Sequence, residues 1–169
     1  MSVAMKAITS VLWLIAFAPL TALANTRDIV GWVEKVRLQP SGIILHAKLD
    51  SGADYSSLNA SDITQFEKDR STWVRFSVTD PAGKSTVLEA PIRRFAYIKR
   101  HGGKRDQRPV IRLGLCVATA FMETDVNLVD RTNFDYQMLI GRSFLAGNVV
   151  VDAASTFTKD PECQGAVKK

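Results

Sequence analysis

The sequence predicts an all-β domain, and three observations carry that reading. Apolar and polar residues alternate with period two in segment after segment, as where Val74, Phe76 and Val78 are set against Arg75 and Ser77. The alternating runs are short, and Pro, Gly and Asp turn signals separate them. An apolar pattern with helical period is nearly absent. Without a long linker, a repeat array or a low-complexity tract, such strands predict one barrel or sandwich. The chain has 169 residues, 46% hydrophobic and 23% charged, which suffices for one domain with a real core.

Ahead of the first strand, Lys6 precedes an apolar run from Val11 to Ala24 that closes on Ala22-Leu23-Ala24. A spanning helix needs roughly 20 apolar residues, and this run is shorter and carries Pro19. Residues 1–24 therefore read as a secretory signal peptide and residues 25–169 as the domain. The expectation is an exported protein, periplasmic or beyond, with no stable membrane anchor after cleavage. Loss of Lys6, the one charge in that stretch, takes the formal net charge from +5 to +4. Lys and Arg are scattered and not striped, apart from Lys99, Arg100, Lys104, Arg105 and Arg108, so no nucleic-acid partner is expected. Cys116 and Cys163 would both meet an oxidising compartment. The alternatives there are a bridge that ties the C-terminal tail to a strand, or a buried thiol and a free one.

The predicted strands run Ile29 to Val36 and Ile43 to Asp50, with a Pro40 and Gly42 turn between them. A half-buried strand follows through Val74, Phe76 and Val78 and ends at an Asp80-Pro81 turn. Short strands continue from Ser85 to Lys99, and Gly102-Gly103 then marks a hairpin tip. Val110 to Ala118 and Phe121 to Val129 complete the set, with Gly114 as a bulge or a point of close approach. Two segments read as short helices, Ala60 to Lys68 and Gly141 to Gly147.

Two places share a pattern. "KLDSGA" runs from an apolar strand into Asp50-Ser51-Gly52, and "MLIGRSFL" runs from Met138, Leu139 and Ile140 into Gly141-Arg142. An Asp-Ser-Gly turn has an ordinary explanation, since these residues bond to their own backbone and tolerate tight geometry. The pair in this order carries more. Asp50-Ser51-Gly52-Ala53 followed by Leu139-Ile140-Gly141-Arg142 resembles the retropepsin-like aspartic proteases, and Asp54 fits their viral members.

The blocks "GWVEKV", "AKLDSGA", "RPVI", "NLVDR" and "MLIGRSFLAGNVVVDAAS" are similar to a bacterial retropepsin-like family, over about Gly31 to Phe157. Its members often carry an ATP-dependent zinc protease label and are found near glutamate-ligase-like genes. Where they usually read Asp-Thr-Gly-Ala-Arg-Thr-Ser-Ala-Leu-His-Ala, this chain has Asp54, Tyr55, Ser57 and Asn59 at changed positions. Some relatives are associated with glutamate-rich peptides, and the basic residue beside the catalytic aspartate is acidic here.

The resemblance implies a retropepsin-like acid-protease barrel with one short C-terminal helix. It also implies a homodimer, because the reaction needs two carboxylates sharing one proton and the chain holds one Asp-Ser-Gly. Asp50 would be the general acid/base, Ser51 would bond across the dimer, and Gly52 would give backbone freedom beside the substrate. Ala53 and Asp54 would line the substrate site, and His101, Gly102 and Gly103 would form a flap over it. Gly141 and Arg142 would support the loop, Arg142 by pairing with Asp54.

No metal and no cofactor are expected. Only His46 and His101 are available, the cysteines stand 47 positions apart, and neither His-Glu-x-x-His nor a phosphate-binding glycine loop is present. With two histidines, Ser-His-Asp catalysis is disfavoured, and paired cysteines would be inert. The leading expectation is an exported aspartic endopeptidase acting on a peptide or protein substrate. The alternative is a catalytically silent peptide-binding module of the cell envelope with the same fold, and a third is a structural β-domain with a chance motif.

Overall fold

The computed structural model describes residues 26–99 and 105–163. Eleven strands and one short helix follow in order: β1 (Asp28–Gln39), β2 (Ile44–Leu49), β3 (Ser56–Asn59), β4 (Ser61–Lys68), β5 (Ser71–Thr79), β6 (Ser85–Pro91), β7 (Arg94–Lys99), β8 (Arg105–Val117), β9 (Ala120–Val129), β10 (Met138–Ile140), α1 (Arg142–Leu145) and β11 (Val149–Thr156). The larger sheet has the order β11-β1-β2-β10-β3-β9-β8-β7, and β1 pairs with β8 as well. That extra pairing closes six strands into a barrel and leaves β11 and β7 outside the ring. The all-β barrel with one short C-terminal helix is therefore as expected.

Alternation explains the interior. Val36, Leu38, Leu45, Ala47, Leu58 and Ile140 are fully buried, while Lys35, Arg37, His46 and Lys48 between them keep partial exposure. Phe144 seals the barrel from α1 and is also fully buried. Each such Val, Leu or Phe contributes about 1.5 to 3 kcal/mol by leaving water. β4, β5 and β6 form a second, antiparallel sheet, whose Val74, Phe76 and Val78 face the same core.

One expectation is overturned: Ala60 to Lys68 is no helix. Ser61–Lys68 form β4, paired with β5 from Ser61↔Ser77 to Lys68↔Ser71. The segment carries β-branched Ile63 and Thr64 and is exposed almost throughout, so no apolar stripe rewards a helix, while the β5 ladder supplies its backbone partners. Gly114 is a point of close approach and no bulge, since β8 and β9 pair without interruption and a Cβ there would lie 2.8 Å from the Phe121 ring.

The chain's last described segment is strapped to its first strand. Buried Glu34 accepts hydrogen bonds from the Gly31 N–H, the Thr158 N–H and the Thr158 hydroxyl at 2.6, 2.9 and 2.5 Å. Asp28 meets Lys159 at 2.5 Å, and Cys163 is bonded to Cys116 as a disulfide. Of the two possibilities for the cysteines, the bridge is the one found. Residues 1–24 lie outside the described residues.

Candidate active site

Asp50 stands immediately after β2, where the strand gives way to a turn. Its N–H donates to the Ile140 carbonyl at 2.9 Å, which binds the loop to the end of β10. Its Oδ1 accepts the Gly52 N–H at 2.9 Å, and its carbonyl accepts the Ala53 N–H at 3.2 Å. The carboxylate is thus fixed in its own tight turn. Its other oxygen, Oδ2, faces Lys48 Nζ at 3.5 Å, and the side chain stays 27% exposed, within reach of water or substrate.

What separates this turn from an ordinary one is the structure clamped behind it. β10 runs parallel to β2 with Ile140 opposite Leu49, so the two strands deliver Asp50 and Gly141 to the same place. A Cβ on Gly141 would lie 2.7 Å from the Tyr55 backbone, and only glycine lets the two turns touch. The Gly141 N–H donates to Ser56 Oγ at 3.2 Å, the Arg142 N–H to the Ala53 carbonyl at 2.8 Å, and the Ser143 N–H to the Asp54 carbonyl at 2.9 Å. The N–H groups around the start of α1, which lack partners within the helix, are thereby satisfied by the Asp50 loop and the first residue of β3.

Arg142 adds its side chain. Nη1 donates to the Ser51 carbonyl at 2.8 Å, and Nη2 meets the Asp54 carboxylate. The expected Asp54–Arg142 pair is present. In the single chain it lies on the surface, with the two side chains 69% and 48% exposed.

Beside the loop lies a cleft of about 370 Å³, walled by Ala53, Asp54, Tyr55 and Ser57 on one side and by Arg94, Arg108, Asp125 and Arg131 on the other. Ala53 and Asp54 are therefore at the cleft, where substrate-binding residues were expected. His101, Gly102 and Gly103 lie outside the described residues. The strands that flank them, β7 and β8, pair from Arg94↔Val110 to Lys99↔Arg105.

Several cleft residues were not singled out from the sequence. Arg94 stacks over the Tyr55 ring at 4.9 Å and reaches Asp125 at 3.4 Å, joining the base of the β7–β8 hairpin to the loop. Arg131 is buried, with Nη1 donating to Ser57 Oγ at 3.0 Å. Burial and the neighbouring Arg108 pull its guanidinium below the usual arginine range, and Asp50 opposes them. The only sequence signal for Arg131 was its place in "NLVDR", and for Lys48 its place one residue before the loop's strand ends.

The model of the RimB-like family, described as the retropepsin-like aspartic endopeptidase RimB, matches residues 29–162. The chain belongs to the RimB-like family. Among curated relatives, a probable alpha-L-glutamate ligase of Parasynechococcus marenigrum is 32% identical over 73% of this chain and 28% of its own length. One from Desulfotalea psychrophila is 30% identical over 76% of this chain and 28% of its own. The RimB-like chain thus spans less than a third of the length of the curated relatives it matches. Among solved structures, a Legionella pneumophila protein of unknown function, Lpg0085, aligns with a TM-score of 0.66 at 34% identity, covering 79% of this chain and 98% of that one.

Proposed function

We propose that this chain is the subunit of an exported, homodimeric aspartic endopeptidase that cleaves acidic peptides. The observation that carries the proposal is the Asp50 turn, solvent-accessible, clamped from behind by Gly141 and Arg142, and continued by Ala53 and Asp54 into the wall of the cleft. The chain holds one such loop, so a dyad needs Asp50 from each of two subunits, brought together on a twofold axis.

In that dyad, one carboxylate takes a proton from water as the water oxygen attacks the peptide carbonyl carbon. The other, protonated, gives its proton to the carbonyl oxygen. Transfer of a proton to the amide nitrogen then accompanies rupture of the C–N bond, which releases an acid and an amine. Arg94, Arg108 and Arg131 on the cleft wall favour acidic peptides, and the ligase names of the relatives point to glutamyl chains as the material at hand. The Cys116–Cys163 bridge fits export to an oxidising compartment.

The test is cleavage of a peptide library by the protein and by Asp50→Asn, with sedimentation across concentration. The expected result is cleavage by the parent only, carried by the dimer and lost at both acidic and alkaline pH because the pair must keep one shared proton. Equal cleavage by both proteins sinks the aspartic mechanism, and full activity in a strict monomer sinks the dyad.

A further inference from the structure

Arg131 is a cation that the fold buries without an ion pair, Asp50 favouring its charge only from beyond contact distance. The residue is 9% exposed, and none of the carboxylates among the described residues forms an ion pair with it. Its guanidinium lies 4.3 Å over the Phe134 ring, and its Nε is buried with no hydrogen-bond partner among the described residues. Burying a charge unpaired is costly, so such a group is explained best by an anion that arrives from outside.

The neighbourhood is built to hold the group still. Ser57 and Asn59 sit two residues apart on β3 and so share a face. Ser57 Oγ accepts from Nη1 at 3.0 Å, and Asn59 Oδ1 accepts the Arg131 N–H at 2.7 Å. Arg108 lines the same cleft, its Nε on Asp106 at 2.9 Å and its Nη1 on Asn127 at 3.4 Å. β3 follows the Asp50 loop directly in the chain, so the strand that positions Arg131 is joined to the loop that carries Asp50.

We propose that Arg131, oriented by Ser57 and Asn59 and assisted by Arg108, is the specificity-determining residue that takes a side-chain carboxylate of the peptide bound beside Asp50. The Nη N–H groups that Ser57 leaves unused offer a planar fork to that carboxylate, a charge-assisted contact that an amide cannot replace. This rests on the peptidase reading and names the residues that give it selectivity. Ser57 and Asn59 are positioning residues, since they act through Arg131.

The test measures binding apart from chemistry. Fluorescein-labelled tetra-L-glutamate and tetra-L-glutamine are titrated onto Asp50→Asn protein by fluorescence anisotropy. The glutamate peptide should bind at least about tenfold tighter, the scale of a hydrogen bond to a charged group. Adding Arg131→Gln should erase the preference. Arg131→Lys, which keeps the charge and loses the fork, should restore part of it. Ser57→Ala should reduce the preference by about two- to tenfold, and it carries the test if Arg131→Gln fails to fold by circular dichroism. Equal binding of the two peptides by the parent, or a preference that survives Arg131→Gln or is indifferent to Ser57→Ala, overturns the proposal. Glutamate preference without cleavage by the unmutated protein would sink the peptidase reading and leave the subsite standing; cleavage without preference would do the reverse.

Discussion

At Gly141 the absent side chain is what lets two distant turns meet. Gly141→Ala would drive a Cβ into the Tyr55 backbone, which has no room to swing aside, and an overpacked contact of this kind costs about 1 to 3 kcal/mol. Gly114→Ala should cost less, since its nearest neighbour is the end of the Phe121 ring, which can turn. Urea denaturation of the two variants checks the order, and an equal or reversed order would contradict it. Asp54 and Arg142 invite a double-mutant cycle. Both are exposed in the single chain, so their coupling should be about 1 kcal/mol or less at dilute concentration; strictly additive losses would mean no coupling at all. Asp50-Ser51-Gly52 and Gly141-Arg142 were legible in the sequence because each is a local turn with its own chemistry. Arg131 was not, because what defines it comes from Ser57 and Asn59, 74 and 72 positions away.

Strands are the elements that the sequence displays well, since a two-residue period survives any tertiary context that keeps one face buried. β5 is the clear case, with Val74, Phe76 and Val78 inward and Arg75 outward, as predicted. β4 is the counterexample: almost wholly exposed, it has no burial pattern to read, and its state is set by the β5 ladder alone. Among the elements, the strap from β1 to the residues after β11 gives a pH prediction. The Asp28 carboxyl is lowered from 3.8 to about 2, first by its hydrogen bond from Lys159 and then by those from Thr119. A folded-state value below the unfolded one means stability that is present above about pH 4 and lost as pH falls through about 2. At neutral pH, Asp28→Asn should therefore lower stability by about 1 kcal/mol, since solvent screens a pair whose Lys159 side is exposed. The difference from the parent should vanish near pH 2 in thermal melts. A gap unchanged by acid would assign the loss to packing.

At the scale of the whole molecule, barrel closure was the feature least visible beforehand. It depends on Arg37 to Gln39 of β1 pairing with Gly114 to Cys116 of β8, a contact with no local signature in either segment. The disulfide lies at that seam, tying β8 to the tail. With 47 positions between its cysteines, the bridge should contribute about 4 kcal/mol by restricting the unfolded chain. Cys163→Ser should lower the denaturation midpoint by a corresponding amount, and a reductant should lower the parent to match but leave the variant unchanged. The same strap has another meaning when the molecule is viewed as a building block. β1 and β11 are parallel, which sets the end of β11 beside Val33, but Lys159, just past that end, reaches back to grip Asp28 at the start of the first strand. A polypeptide thus enters and leaves this barrel at almost one point. A unit with such a doorway can be appended to a larger chain, or exchanged between chains, without threading its neighbour across its surface. That portability matches a segment which makes up under a third of the ligase-named proteins and nearly all of the Legionella one.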